Sequence, residues 1–273
     1  MENKHAQFIG SIPENYDQYL GPLLFSFSAK ELAKRVAGHV LEGEELLEIA
    51  AGTGISTKYL REALPHSARI LATDLNGEML EYGRTKRGDF PNTAYEVANA
   101  LELPYEDARF DAVVCQFGIM FFPDKHKGLT EMLRVLKPGG FLAVSVWGSH
   151  EHNPFIKVAR DTIASFFEKD PPTFLNVPFA MHNIDATTKL IADAGFTGVK
   201  AETVSKTQTE VNVLDFARGL VEGNPSVIEL KENPDINIET IVKAVADAIK
   251  KEFDSEAPDM PLEVIYFIAT KPV

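Results

Sequence analysis

Cysteine is almost missing from this 273-residue chain; Cys115 is the single example. No disulfide can form within the chain, and the count gives no zinc signature. Basic residues are also short, with 27 Lys and Arg against 40 Asp and Glu. The net charge of −13 and a pI near 5.0 argue against DNA, RNA or an anionic membrane as the main partner. No apolar run approaches the ~20 residues that span a bilayer. The stretch from Met1 to Gln18 lacks the basic-then-apolar pattern of a signal peptide. Internal repeats, low-complexity linkers and blocks of like charge are absent too. These absences lead to the expectation of a cytoplasmic protein, not inserted in a membrane, whose partner is a small-molecule substrate rather than a nucleic acid.

What remains is ordinary globular material, 45% hydrophobic and 25% charged, enough to bury a full core. Strand-like and helix-like segments alternate. Ser28-Ala-Lys-Glu31 has the form of a capping box opening a helix with Leu32, Val36 and Val40 on one face. Strands are expected over 45–50, 69–73, 93–98, 110–116 and 141–147. Helices are expected over 55–64, after Asn76 and over 125–136, with Pro138-Gly139-Gly140 stopping the last. That order predicts βαβ units in a doubly wound, mostly parallel Rossmann-like sheet. Farther on, 183–194 reads as a capped helix and 199–207 as a strand. Ile238, Ile241, Val242, Val245, Ile249 and Phe253 mark an amphipathic helix, and "LEVIYFIAT" an internal strand, which brings the sheet to seven. Segments 151–182 and 208–260 are too long for mere connections; they are candidate lids and substrate walls, or simple cover for the sheet.

The stretch "ELLEIAAGTGIST" runs from an apolar strand straight into small residues and glycine. A buried strand has to turn, and glycine turns well. The same turn also suits a ligand that must approach the backbone beside a helix N-terminus. Asp74, twenty residues after Gly54 and at the end of the next strand, is placed to grip both hydroxyls of a ribose. The ligand is therefore expected to be a nucleoside, and nicotinamide and adenosylmethionine sites both fit to this point.

Five ordered segments carry a more specific likeness. They are Glu48-x-Ala50-x-Gly52-x-Gly54, "ATDLNGEML", Ala98-Asn99-Ala100-Leu101-Glu102-Leu103-Pro104-Tyr105, "FDAVVCQFGIMFFPD" and "LTEMLRVLKPGGFLAVSVW". Together they resemble the class I S-adenosylmethionine-dependent methyltransferases, within the broad group that includes the ubiquinone/menaquinone-biosynthesis enzymes. The likeness covers residues 40–150, with a weaker echo at 190–200. Two positions depart from the family pattern: Ala50 stands where its first glycine belongs, and Asn99 where it has an aspartate.

The resemblance implies one methyltransferase domain over 1–273, with an N-terminal cofactor lid over 1–27 and a cofactor-binding core over 40–150. It implies S-adenosylmethionine as cofactor and S-adenosylhomocysteine as product. Backbone at Ala51, Gly52 and Gly54 would pass the methionine moiety, Asp74 would hold the ribose, and Leu75 and Met79 would line the adenine. Asn99 and Ala100 would lie at the adenine edge, and Gln116 and Phe117 at the methionine end. Glu48 would orient the turn. Of the N-terminal aromatics Tyr16, Tyr19, Phe25 and Phe27, Tyr19 is favoured as donor to the cofactor's carboxylate.

No recognisable nucleophile or firm general base accompanies these segments. His150 and His152, in the loop after the fifth strand, are the two candidates, as a base or as part of a metal pair lacking a third ligand. No metal is expected, and an exposed loop suits both histidines equally well. The expected activity is methyl transfer to a small, partly apolar metabolite through C, O or N, with catalysis by placement. An NAD-linked oxidoreductase is the rival, although Thr57 stands where a dinucleotide fingerprint has glycine. A non-catalytic adenosylmethionine-binding protein is the other. Oligomeric state is not legible.

Overall fold

The computed structural model describes residues 6–273. Its sheet has seven strands: β1 (Glu45–Ile49), β2 (Arg69–Asp74), β3 (Thr93–Val97), β4 (Phe110–Gln116), β5 (Leu136–Trp147), β6 (Thr197–Gln208) and β7 (Met260–Thr270). Their spatial order is β3-β2-β1-β4-β5-β7-β6. The first five are parallel, and β7 enters antiparallel between β5 and β6. The chain reverses direction across the sheet between β1 and β4, so the loops after these strands face one another over the carboxyl edge. β1 and β4 are apolar and almost wholly buried because helices cover both faces. β7 is likewise internal, as its apolar run predicts.

The covering helices are α1 (Ile12–Asn15), α2 (Ser26–Ala37), α3 (Ile55–Ala63), α4 (Gly77–Arg87), α5 (Lys125–Val135), α6 (Pro154–Ala164), α7 (Ile184–Asp193), α8 (Val213–Glu222), α9 (Ser226–Glu232) and α10 (Ile238–Glu252). Short 3₁₀ turns occupy Ile119–Phe121 and Phe174–Phe179. Asn183 caps α7 by accepting from the Ala186 amide at 2.9 Å, as its position predicts. Val242, Val245 and Ile249 of α10 are fully buried, and that helix packs against α6 and α8.

Two local expectations fail. The capping box at Ser28 does not form, because α1 continues through a π-helical segment, Tyr16–Phe25, directly into α2. The Ser28 amide is then no orphan; its hydroxyl donates to the Leu24 carbonyl at 3.1 Å, while Glu31 pairs with Lys34 and Arg35. The second concerns Pro138-Gly139-Gly140, which lies inside an early start of β5 rather than before it. The β4–β5 register shifts there, between Phe110 and Ala112, and Gly139 takes φ +77°.

Phe110 and Asp111 are structural. The Phe110 ring is fully buried, and the Asp111 carboxylate accepts from the Glu45 amide at 2.9 Å and from Lys137 at 2.7 Å.

Candidate cofactor and acceptor site

A cavity of about 350 Å³ opens at the carboxyl edge of β1, β2, β4 and β5. That is within the ~300–1,000 Å³ of ordinary small-molecule sites. One wall is the glycine turn. Ala50, Gly52 and Gly54 take φ +56°, +58° and +79°, so three left-handed residues swing the chain away from β1. Alanine in that region costs roughly 1–2 kcal/mol that glycine would not. Its methyl is not idle: a Cβ on Gly118 would lie only 2.4 Å from the Ala50 Cβ. The small side chain at 50 is thus matched by none at 118.

Asp74 lies beside this turn, 8% exposed. The Gly52 amide donates to its Oδ2 and the Asn76 amide to its Oδ1, both at 2.8 Å, and Asn76 Nδ2 adds a third bond at 3.3 Å. Burial pushes the Asp74 carboxyl up from the usual range, against these donors. A carboxylate has about four acceptor sites, so the Oδ2 atom retains capacity for a ligand hydroxyl. This spare capacity at the cavity wall fits a ribose.

Beneath the turn, buried Glu48 accepts from the Ser56 and Thr57 hydroxyls, the latter at 2.6 Å. Burial pushes its carboxyl up to about 7, with the two hydroxyls opposing and Asp74 adding to the rise. It faces away from the cavity and holds α3 to β1. Thr57 is engaged here, at the position where a dinucleotide fingerprint carries glycine.

Of the residues singled out from sequence, Gly52, Asp74, Leu75, Met79, Asn99, Ala100, Gln116 and Phe117 line the cavity. Ala51 and Gly54 lie in the turn behind the lining; Ala50 reaches it instead. At Asn99 the side-chain oxygen accepts from the Leu101 amide at 3.0 Å, which takes one of its two lone pairs. Gln116 Oε1 is buried and has no hydrogen-bond partner among the described residues.

Tyr19, favoured from the sequence as the cofactor's tyrosine, does not line the cavity. It is half-buried at α8, where a Cβ on Gly219 would come within 2.9 Å of its own Cβ. Tyr16 takes the cavity position, with Leu20, Leu24 and Phe25. The π-helix explains the exchange, since i→i+5 bonding puts residues four and five apart on one face. Burial, then Asp17 and Asp74, raise the Tyr16 phenol well above its ordinary value, so it stays protonated and can donate.

The opposite wall is aromatic, and sequence reasoning missed most of it. Phe117 and Trp147 stack at 4.1 Å, and Tyr16 and Phe25 at 4.4 Å. Phe121 and Phe174 stack at 5.6 Å, and Phe8 meets both Tyr16 and Phe121 edge-on at 5.9 Å. Phe179 lies 6.1 Å from Trp147. Of this wall the sequence offered Phe117, the N-terminal aromatics Tyr16 and Phe25, and segment 151–182 as a candidate substrate wall. Segment 151–182 contributes Phe155, Ile156 and its 3₁₀ turn, whereas 208–260 contributes only Leu220, Gly223 and Asn224. Most of the latter segment builds scaffold behind the wall.

Neither histidine reaches the cavity lining. His152 is exposed and pairs with Glu263 at 2.9 Å. His150 sits behind Phe179, edge-on at 4.7 Å, and its Nδ1 accepts from Arg160 at 3.1 Å. Burial, Arg160 and His182 lower its pKa, which keeps it neutral. No cluster of metal ligands occurs among the described residues. Cys115 is fully buried in β4, and burial pushes its thiol up to about 12. No helix among the described residues is long and apolar enough to cross a membrane.

Comparison with known proteins agrees with this geometry. A solved methyltransferase candidate from Bacillus halodurans superposes with a TM-score of 0.58 at 21% identity, over 89% of this chain and 99% of its own. Phosphoethanolamine N-methyltransferase 2 of Haemonchus contortus, solved with S-adenosyl-L-methionine, gives 0.63 at 16% identity, over 100% of this chain and 60% of that one. At such identities these likenesses speak for the fold. Sequence goes further. The ubiquinone/menaquinone biosynthesis C-methyltransferase of Cronobacter sakazakii is 33% identical over 211 residues, 71% of this chain and 83% of the relative. The family model for the ubiE/COQ5 methyltransferases matches residues 1–207. The oxidoreductase and non-catalytic readings therefore fall away: the chain belongs to the ubiE/COQ5 methyltransferase family and is an S-adenosylmethionine-dependent methyltransferase.

Proposed function

We propose that this enzyme transfers the methyl group to a carbon of a small, uncharged, aromatic metabolite held against the aromatic wall. The observation that carries the reading is the lining itself. It is built from aromatic and aliphatic side chains, with no lysine, arginine or histidine among the described lining residues. An anionic acceptor would find no counter-charge there, while a flat ring gains both burial and ring-to-ring contact. The relatives named C-methyltransferases of ubiquinone/menaquinone biosynthesis support the same acceptor class. The acidic net charge supports a small molecule over a nucleic acid. The buried cysteine and the lack of a spanning helix among the described residues suit work in the cytoplasm.

The cofactor, when bound, supplies an electrophilic methyl group on a good leaving group. The chain's share is then placement. Asp74 holds the ribose, Gly52 lets the backbone approach, and Leu75 and Met79 cover the base. Tyr16 donates its phenol hydrogen near the methionine end. The N-terminal segment and the 151–182 insertion would act as lids, excluding water during transfer and keeping an acceptor carbon in line with the methyl group. The carbon–carbon bond would form as the sulfur–methyl bond breaks, and the proton that the acceptor then loses would pass to solvent as the lids open.

Calorimetry should show micromolar adenosylmethionine and adenosylhomocysteine binding and negligible NAD binding. Incubation with labelled cofactor and a panel of hydroquinones, aliphatic amines and phosphorylated amines should label the hydroquinones, with the methyl on carbon by mass spectrometry. NAD binding as tight as adenosylhomocysteine would refute the cofactor assignment. Labelling confined to an amine or anionic acceptor would refute the acceptor assignment.

A further inference from the structure

Asp17 is a carboxylate sealed inside the protein, 3% exposed, on the π-helical segment that carries Tyr16, Leu20, Leu24 and Phe25 to the cavity. All its partners belong to the cofactor side. The Thr53 hydroxyl, from the residue between Gly52 and Gly54, donates to Oδ1 at 2.8 Å. Arg87 donates to the same oxygen, and Lys86 pairs with Oδ2 at 2.5 Å. Arg87 also donates to the Thr53 carbonyl at 2.7 Å, so one guanidinium ties carboxylate and turn together. The middle of α4 is also tight against that carbonyl, because a Cβ on Gly83 would come within 2.4 Å of it. Burial alone would push the Asp17 carboxyl up; Lys86, Thr53 and Arg87 hold it below the usual carboxylate range.

A surface helix needs no buried anion to cover a sheet. Breaking a buried pair is strongly destabilising, so such a pair fixes one arrangement of the elements it joins. Here those elements are the two walls between which the cofactor would be held.

We infer that Asp17 is a positioning residue, a latch that locks the π-helical wall onto the glycine turn and thereby sets how fast the cofactor leaves. The inference rests on the cofactor occupying this cavity. Without the latch the wall separates from Thr53 more readily, and the path past Tyr16 and Leu20 opens.

Release of tritiated adenosylhomocysteine from the full chain tests this, with Asp17→Asn, Lys86→Gln and a control, Val135→Ala, which is fully buried on α5 and does not line the cavity. Asp17→Asn should release the product about tenfold faster or more, the worth of one hydrogen bond to a charged group. Lys86→Gln should give a smaller acceleration in the same direction. Val135→Ala should lower the melting temperature yet release at the wild-type rate. If Asp17→Asn fails to fold, Lys86→Gln decides, since its side chain is 43% exposed and tolerates change. Unchanged release in the folded variants, or equal acceleration in Val135→Ala, overturns the latch. If wild type binds no adenosylhomocysteine, the cofactor assignment itself fails. Hydrogen exchange over residues 12–25 in the ligand-free protein then tests the latch alone: faster in Asp17→Asn if the latch exists, unchanged if it does not.

Discussion

The glycine-turn wall and the aromatic wall enclose one cavity but are made from different kinds of sequence. The first comes from one stretch, residues 49 to 101, in which each strand delivers its ligand-edge residue to the next loop. The second is gathered from residues near 8–25, 117–123, 147–179 and 220–224, joined only by folding. The first makes hydrogen bonds through backbone and one carboxylate, the second offers rings and methyl groups. On the proposed reading the cofactor meets the first wall and the acceptor the second. That division is open to test.

The largest effect should come from Asp74→Ala, which removes the only carboxylate among the described cavity-lining residues. A hydrogen bond to a charged group is worth about 1.5–3 kcal/mol. Adenosylhomocysteine affinity should fall roughly tenfold to hundredfold by calorimetry, while acceptor binding to the preformed complex stays close to wild type. An unchanged dissociation constant would mean that the ribose is held elsewhere.

Gly118→Ala attacks the place where the two walls touch. Its new Cβ would stand 2.4 Å from the Ala50 Cβ and 2.8 Å from Cys115 Sγ. Overpacking of this kind costs about 1–3 kcal/mol. Chemical denaturation should show the loss, and adding Ala50→Gly should recover a good part of it. If the double variant is no better than the single one, the two residues are not packed as described.

Glu48 sharpens the cofactor side through pH. Burial pushes its folded carboxyl up to about 7, from an ordinary value of 4.5. The folded state thus holds a proton that the unfolded state has released, and the group's stabilising share is complete below pH 4.5. It declines as pH rises toward 7, with a slope of at most about 1.4 kcal/mol per pH unit. Glu48→Gln should flatten the dependence of melting temperature on pH between 5 and 7. Equal slopes in both proteins would show that Glu48 is ionised throughout.

The smallest effect belongs to the histidines. Losing a positioned general base costs ~10²–10⁴-fold in rate. His152→Ala and His150→Ala should each stay within about tenfold of wild type under saturating substrates, since neither lines the cavity. A loss in the larger range with cofactor affinity intact would make that histidine the base and end the placement mechanism.

The succession of strands and helices, the glycine turn and Asp74 were legible in the sequence because each is local. Apolar runs of strand length, left-handed small residues and an acid at a strand end depend on near neighbours in the chain. Two departures from the family pattern, Ala50 and Asn99, were equally visible, although their consequences were not. Ala50 needed its neighbour Gly118, and Asn99 needed the Leu101 amide that takes one lone pair of its oxygen.

The N-terminal segment shows where local reasoning ends. Ser28 and Glu31 satisfy the capping pattern, yet the chain reaches them already helical. Tyr16 and Tyr19 are three residues apart, neighbours on an ordinary helix; the π-helical winding sends one to the cavity and the other to Gly219. No residue pattern announces that winding, and packing against α8 and the Asp17 contacts accompany it only in three dimensions. The sequence by itself therefore determined the strands of the sheet, the glycine turn and the carboxylate beside it, through short-range periodicity and backbone stereochemistry. Tertiary structure alone decided the aromatic wall, the choice of tyrosine and the withdrawal of both histidines, because each depends on contacts between segments far apart in the chain.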